Sequence, residues 1–230
     1  MEGSDNSVLV ITAHPDDAEI GAGGTLARWV AEGRELNYVV CTNGDKGSGD
    51  FDMVPERLAQ VRRQEQLAAA AALGVKEVVF LDYPDGSLED TPEFRGRLVR
   101  AIRRFRPHTV VSTDPYRKYI WHRDHRITGR VVLDAIFPYA RDHLSYPELM
   151  KEGLLPHKVK EVYLWAAEEP NTFIDINDTL ATKLAALACH VSQVGSDTVG
   201  LEERMRSRAS LLGESQGILA EAFHRVEILR

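Results

Sequence analysis

The sequence predicts an α/β protein built on a largely parallel sheet, and three observations carry that prediction. Short apolar runs rich in Val, Leu and Ile alternate along the chain with longer segments of helical period. Helix signals bracket those longer segments, with glycine at their ends and Thr-Pro at one start. Polar clusters of Asp, Asn and His follow the apolar runs, where open parallel sheets gather ligands.

"VLVITA" (Val8–Ala13) reads as a buried strand and Ala18–Gly33 as a helix closed by glycine. "ELNYVVCT" (Glu35–Thr42) is a second strand, ending in the loop "NGDKGSGDFD". Pro55–Leu73 is a long helix rich in Ala, Gln and Leu, with Gly74 as its cap. "EVVFLD" (Glu77–Asp82) is a third strand, Thr91–Phe105 a helix and "HTVVST" (His108–Thr113) a fourth strand. The loop "DPYRKYIWHRDH" leads into a helix over Asp124–Phe137. "EVYLWAA" (Glu161–Ala167) and "FIDI" (Phe173–Ile176) are further strands, and helices over Leu180–His190 and Leu201–Phe223 finish the chain. Strands alternating with helices define βα units. With no internal repeat, low-complexity tract or linker, residues 1–230 are expected to form one Rossmann-like domain, a mostly parallel sheet flanked by helices.

A chain of 230 residues with 43% hydrophobic and 27% charged residues is an ordinary globular composition. Its formal net charge of −7 argues against nucleic acid or an anionic membrane as the main partner. The polar start "MEGSDNS" lacks the features of a secretory signal, and no apolar run reaches the ~18 residues of a membrane span. Cys41 and Cys189 form neither a disulfide framework nor a metal pattern, so a cytoplasmic location is expected.

The first strand ends in "HPDDAEIGAGGT", whose glycines suggest a phosphate cradle and whose acids suggest a metal. Gly21-Ala22-Gly23-Gly24 is G-x-G-G, neither the dinucleotide fingerprint nor a P-loop. Asp16 and Asp17 occupy the strand–helix turn and would repel a pyrophosphate. The glycines then serve close helix–sheet packing or close approach of a ligand.

Acids at a helix start are commonly caps. Here His14 stands beside them, and a second cluster, His122-Arg123-Asp124-His125, follows the fourth strand. Histidines at i and i+3 share a helical face. Two imidazoles and one carboxylate suit a catalytic zinc with one open position, and His14, Asp17 and His125 supply that set. Asp16 and His122 are left as an acid/base pair, with Asp124 orienting a ring N–H of His122 or His125. Spacing alone does not choose between Asp16 and Asp17 as the ligand, and such donors accept other divalent ions too.

"AHPDDAEIGAGGTLA" followed by "HRDH" resembles the PIG-L/LmbE family of zinc-dependent N-acetylglucosaminyl deacetylases. Further stretches are similar: "RRQEQLAAAAALGV" (Arg62–Val75), "FLDYPDG" (Phe80–Gly86), "CHVSQ" (Cys189–Gln193) and "EAFH" (Glu221–His224). The resemblance implies an LmbE-like fold and a metal-dependent N-deacetylase that uses Zn2+ to release acetate and a free amine from an N-acetylglucosamine-type conjugate. It implies His14, Asp17 and His125 as zinc ligands, Asp16 as general base, His122 as electrostatic or acid partner and Asp124 as the carboxylate paired with the histidine. Arg62 matches an arginine near the substrate's hydroxyls. Asp45 stands where relatives often carry glutamate, a departure in the loop expected to face the sugar. A soluble amino-sugar conjugate is the implied partner. Relatives are often multimeric, which leaves a homo-oligomer open.

Two other classes share parts of this pattern: a metal-dependent hydrolase of another amide or ester, and a non-catalytic nucleotide-binding module. The basic stretch "RLVRAIRRFRPH" (Arg97–His108) reads as a solvated helix face. Trp121 either stacks on a sugar ring or belongs to the core or rim. His190 either faces the site or is a hydrogen-bonded buried histidine. His108, His143, His157 and His224 read as structural or surface residues.

Overall fold

The computed structural model describes residues 6–228. In chain order its elements are β1 (Ser7–Thr12), α1 (Asp17–Ala31), β2 (Glu35–Thr42), α2 (Pro55–Leu73), β3 (Glu77–Tyr83), α3 (Pro92–Phe105), β4 (Thr109–Thr113) and α4 (Arg123–Asp134). The short α5 (Pro147–Lys151), β5 (Glu161–Trp165), β6 (Thr172–Asp175), α6 (Leu180–Ala188), the single turn α7 (Val191–Val194), α8 (Thr198–Gly213) and β7 (Ala220–Glu227) follow.

The seven strands form one sheet in the order β3-β2-β1-β4-β5-β7-β6. The five from β3 to β5 run parallel, while β7 is antiparallel to both β5 and β6. The chain winds outward from β1 to β3, then returns to lay β4 on the other side of β1. The strand order therefore reverses between β1 and β4, and a crevice opens above their carboxyl ends.

Side-chain alternation along β1 divides the core in two. Leu9 and Ile11 face α3 and α4 through Leu98, Ile102 and Val131, whereas Val8 and Val10 face α1 and α2 through Leu26, Trp29 and Leu73. Both faces are covered, which is why the interior of β1, Val8 to Ile11, is uniformly apolar. Among the described residues no helix is long and apolar enough to cross a membrane.

The glycines of α1 are packing residues. A Cβ on Gly21 would stand 2.5 Å from the Trp165 ring, and one on Gly24 would stand 2.7 Å from Ile176. They bring α1 against β5 and the segment before α6, and no phosphate cradle forms from them.

Two expectations need correction. The helix predicted over Leu201–Phe223 stops at Gly213, and Ala220–Glu227 is a strand. Gly217 turns the chain at φ +68, and β7 lies between two partner strands, so Ala220 to Phe223 are buried on both faces and show no alternation. The basic face of α3 is solvated only in part. Arg100 and Arg104 do pair with exposed Glu152 and Glu77. Arg103, however, is 1% exposed and donates to the carbonyls of Tyr139, Ala140, Asp142, Ser145 and Tyr146, so one buried guanidinium gathers the irregular loop that follows α4.

Candidate metal centre

Two loops meet over the β1/β4 crevice. In the first, Asp16 takes a left-handed conformation (φ +91, ψ −25) as β1 gives way to α1, and its side chain makes no capping bond. Asp17 folds its carboxylate back onto the turn, where Oδ2 accepts the His14 N–H at 2.8 Å and the Thr12 hydroxyl at 3.2 Å. The aspartates are therefore not ordinary helix caps. In the second loop His122 is the N-cap of α4, its Nδ1 accepting the Asp124 N–H at 3.1 Å. That leaves Asp124 turned inward and His125 one residue further along.

His14 sits at the centre. Its Nδ1 lies 3.2 Å from His125 Nε2 and 3.3 Å from Asp17 Oδ2, and His125 Nε2 lies 3.0 Å from Asp17 Oδ1. Its Nε2 meets Asp85 Oδ1 at 3.0 Å and Asp124 Oδ2 at 3.3 Å. The His122 ring stands edge-on to His14 with centroids 4.6 Å apart.

Two sets of donor atoms each gather within 4.8 Å, His14 with His122 and His125, and His14 with Asp85 and Asp124. In the second set the protein already engages Asp124, which accepts the N–H groups of Gly86 (2.7 Å) and Leu88 (3.2 Å), while Asp45 anchors the Asp85 backbone by accepting its N–H at 2.9 Å. Those two carboxylates thus orient His14 from behind and direct Nδ1 toward Asp17 and His125. The open side fits a cation, because His14 Nδ1, His125 Nε2 and the Asp17 carboxylate converge there.

The electrostatics make the same demand. Burial resists charging His14, but Asp17, Asp124 and Asp85 together push its pKa up to about 12. Burial would raise Asp17, yet the His125 and His14 rings hold its carboxyl well below the usual range. Burial, reinforced by the Asp17 charge, pushes the Asp16 carboxyl up to about 7 against the pull of Arg62 and His190. Burial and the neighbouring His14 and His125 lower the pKa of the half-exposed His122.

The six residues singled out as ligands and catalytic groups all come to this one rim. Asp124 was expected against His122 or His125; its carboxylate contacts His14 instead, because the Gly86 and Leu88 N–H groups draw it beneath the site. Arg62 is 3% exposed, donating to Pro15 O (2.6 Å) and Gly44 O (3.1 Å), 3.5 Å from Asp16 Oδ2. Trp121 packs edge-on to His125 and donates to Asp114 O, forming one wall. His190 is fully buried 3.6 Å from Glu19 Oε2, and neither ring nitrogen has a hydrogen-bond partner among the described residues. Asp85 and Gln66 were missed. The position of Asp85 at the end of the third strand was a signal, whereas Gln66 in mid-helix carried none.

An α/β rim that presents this His/Asp cluster at the strand-order reversal is that of a metal-site enzyme. The chain belongs to the PIG-L family: the family model described as GlcNAc-PI de-N-acetylase matches residues 9–136. It is 35% identical over 211 residues to diacetylchitobiose deacetylase of Thermococcus kodakarensis, covering 91% of this chain and 79% of that protein. It is 30% identical to the 1D-myo-inositol 2-acetamido-2-deoxy-alpha-D-glucopyranoside deacetylase of a Mycobacterium species (strain KMS), covering 81% of this chain and 74% of that one. Among solved structures, N,N'-diacetylchitobiose deacetylase from Pyrococcus horikoshii superposes with a TM-score of 0.90 at 32% identity, covering 96% of this chain and 84% of that one.

Proposed function

We propose that this chain hydrolyses the acetamide of an N-acetylglucosamine-type sugar conjugate, releasing acetate and a free sugar amine. The observation that carries this reading is the convergence of His14 Nδ1, Asp17 and His125 Nε2 beside a second buried aspartate, Asp16. Its family membership supplies the substrate class.

His14, Asp17 and His125 would hold zinc, whose catalytic sites use three protein ligands, two imidazoles and a carboxylate among them, and leave a fourth position open. When bound, such an ion polarises a carbonyl and brings the pKa of water to about 7. Asp16 takes the proton from the attacking water. The N-cap bond makes His122 Nδ1 an acceptor, so the neutral ring carries its hydrogen on Nε2. That N–H donates to the acetyl oxygen as negative charge develops there. The proton held on Asp16 then passes to the departing nitrogen as the C–N bond breaks. Asp124 and Asp85 keep the His14 ring in register from the opposite side. The free cysteines Cys41 and Cys189 support a reducing compartment, the cytoplasm.

Zinc-loaded protein is expected to release acetate from N-acetylglucosamine conjugates, with N,N'-diacetylchitobiose and the inositol conjugate tried first, and chelated protein is not. Acetate from none of a broad panel would sink the substrate class. His14→Ala and His125→Ala are expected to lose zinc in metal analysis, and full zinc content in both would sink the site.

A further inference from the structure

The strained backbone of Asp16 is held by an unusual grip. The peptide unit joining Pro15 to Asp16 is held at both ends by one face of α2. Arg62 Nη2 donates to its carbonyl at 2.6 Å, and its N–H donates to Gln66 Oε1 at 3.1 Å. Arg62 and Gln66 are four residues apart, hence side by side on the helix, and both are buried. On its other side Asp16 is tied into α1, where its carbonyl accepts the Ile20 N–H at 3.0 Å. Rotation about the Asp16 N–Cα bond is thus fixed from both directions, at a φ of +91 that an aspartate rarely adopts.

The surroundings commit both clamp residues. Because Gln66 must present oxygen to the Asp16 N–H, its Nε2 faces Glu19 and donates to Oε1 at 2.9 Å, returning the network to α1. Arg62 also donates to Gly44 O, and a Cβ on Gly44 would stand 2.5 Å from Arg62 Nη1, so the loop after β2 approaches closely around the guanidinium.

We propose that Arg62 and Gln66 are positioning residues for Asp16: they hold the Pro15–Asp16 peptide plane so that the Asp16 carboxylate is aimed at the attacking water. This role differs from the direct substrate contact that the resemblance implies for Arg62, and it rests on the reading of Asp16 as proton acceptor. The clamp acts on catalysis through geometry and leaves the three ligand residues untouched.

Gln66→Leu removes the acceptor for the Asp16 N–H. It is expected to lower kcat for acetate release by about 10–100-fold, the cost of a small misplacement of a reacting group, with zinc content retained and KM within about twofold of wild type. Gln66→Glu alone sets two carboxylates face to face and is expected to lower kcat as well. Combining it with Glu19→Gln reverses donor and acceptor, so the side chain at 66 still accepts the Asp16 N–H. The exchange pair is expected to recover at least about tenfold in kcat over Gln66→Glu alone. Wild-type kcat in Gln66→Leu, or no recovery in the exchange pair, overturns the proposal. If Gln66→Leu does not fold, the exchange pair and its two single variants decide the question. Asp16→Asn in the same assay separates the two readings: if it retains wild-type kcat, the assignment of Asp16 fails. If it loses activity while the Gln66 variants do not, only the clamp fails.

Discussion

Helix α1 meets buried charge twice, at its N-terminus and at its middle, and the two regions are built differently. At the middle, Lys183 and Glu221 pair at 2.5 Å, both within 5% of full burial. Glu221 also accepts the Gly24 and Thr25 N–H groups, and Lys183 donates to Ile20 O. Charge is balanced there and the ionised oxygens are satisfied. At the N-terminus, Asp17, Asp85 and Asp124 crowd around His14, the neighbouring Asp16 is backbone-strained, and two pKa values are driven far from their usual range. A balanced pair braces the fold, whereas a strained cluster of groups with displaced pKa values is the signature of a functional site.

The largest effect that would sharpen this contrast is catalytic. Asp16→Asn is expected to reduce kcat by about 10²–10⁴-fold, the contribution of a positioned base, while zinc stays bound. An unchanged kcat would break the distinction. Next is a structural effect on the balanced side. Glu221→Ala leaves the Lys183 ammonium buried and unpaired, and should cost about 3–5 kcal/mol in denaturant unfolding. The zinc content and turnover of the folded fraction should stay near wild type, and a loss of zinc there would show that the two regions are not separate. Smaller again, Asp124→Ala frees the His14 ring from one orienting carboxylate and should weaken zinc binding by about 10–100-fold in a competition titration.

The smallest effect carries a definite sign in pH. In metal-free protein Asp16 has a folded pKa of about 7, above its ordinary 3.8, so the folded state holds the proton more tightly than the unfolded state. Asp16 therefore lowers wild-type stability as pH rises from about 4 to about 7, and Asp16→Asn escapes that loss. Metal-free Asp16→Asn should match wild type near pH 4 and exceed it at pH 8, by about 2–4 °C in Tm for each kcal/mol relieved. In zinc-loaded wild type the base must be ionised, so kcat/KM falls as pH drops through its pKa. A cation beside Asp17 draws that midpoint below 7. A Tm gain of equal size at both pH values would assign the effect to packing.

Most of the parallel half was legible because it repeats one simple pattern. The runs read over Val8–Ala13, Glu35–Thr42 and Glu77–Asp82 are apolar stretches bordered by polar residues, and each became a strand within a residue or two. The rim clusters were legible for the same reason, since a strand must end before polar side chains reach the crevice. Ala220–Glu227 was not, because a strand buried on both faces beside helix-favouring residues loses its period-two signal. Arg103 read as solvated because charge spacing along α3 does not reveal which loop later folds over it. The inward turn of Asp124 depends on two N–H groups from the loop after β3, far from it in sequence.

The sequence by itself determined the strand–helix alternation, the side of the sheet on which chemistry gathers, and the cluster of His14, Asp16, Asp17, His122 and His125 on that side. These are local properties, set by side-chain period and by what each side chain can donate or accept. Only the tertiary structure decided which nitrogen of His14 faces the site and how Asp16 and Asp17 differ. One aspartate folds back beneath the imidazoles, and the backbone of the other is gripped by Arg62 and Gln66 of α2. Such choices depend on contacts between segments distant in the chain, and no spacing within one motif encodes them.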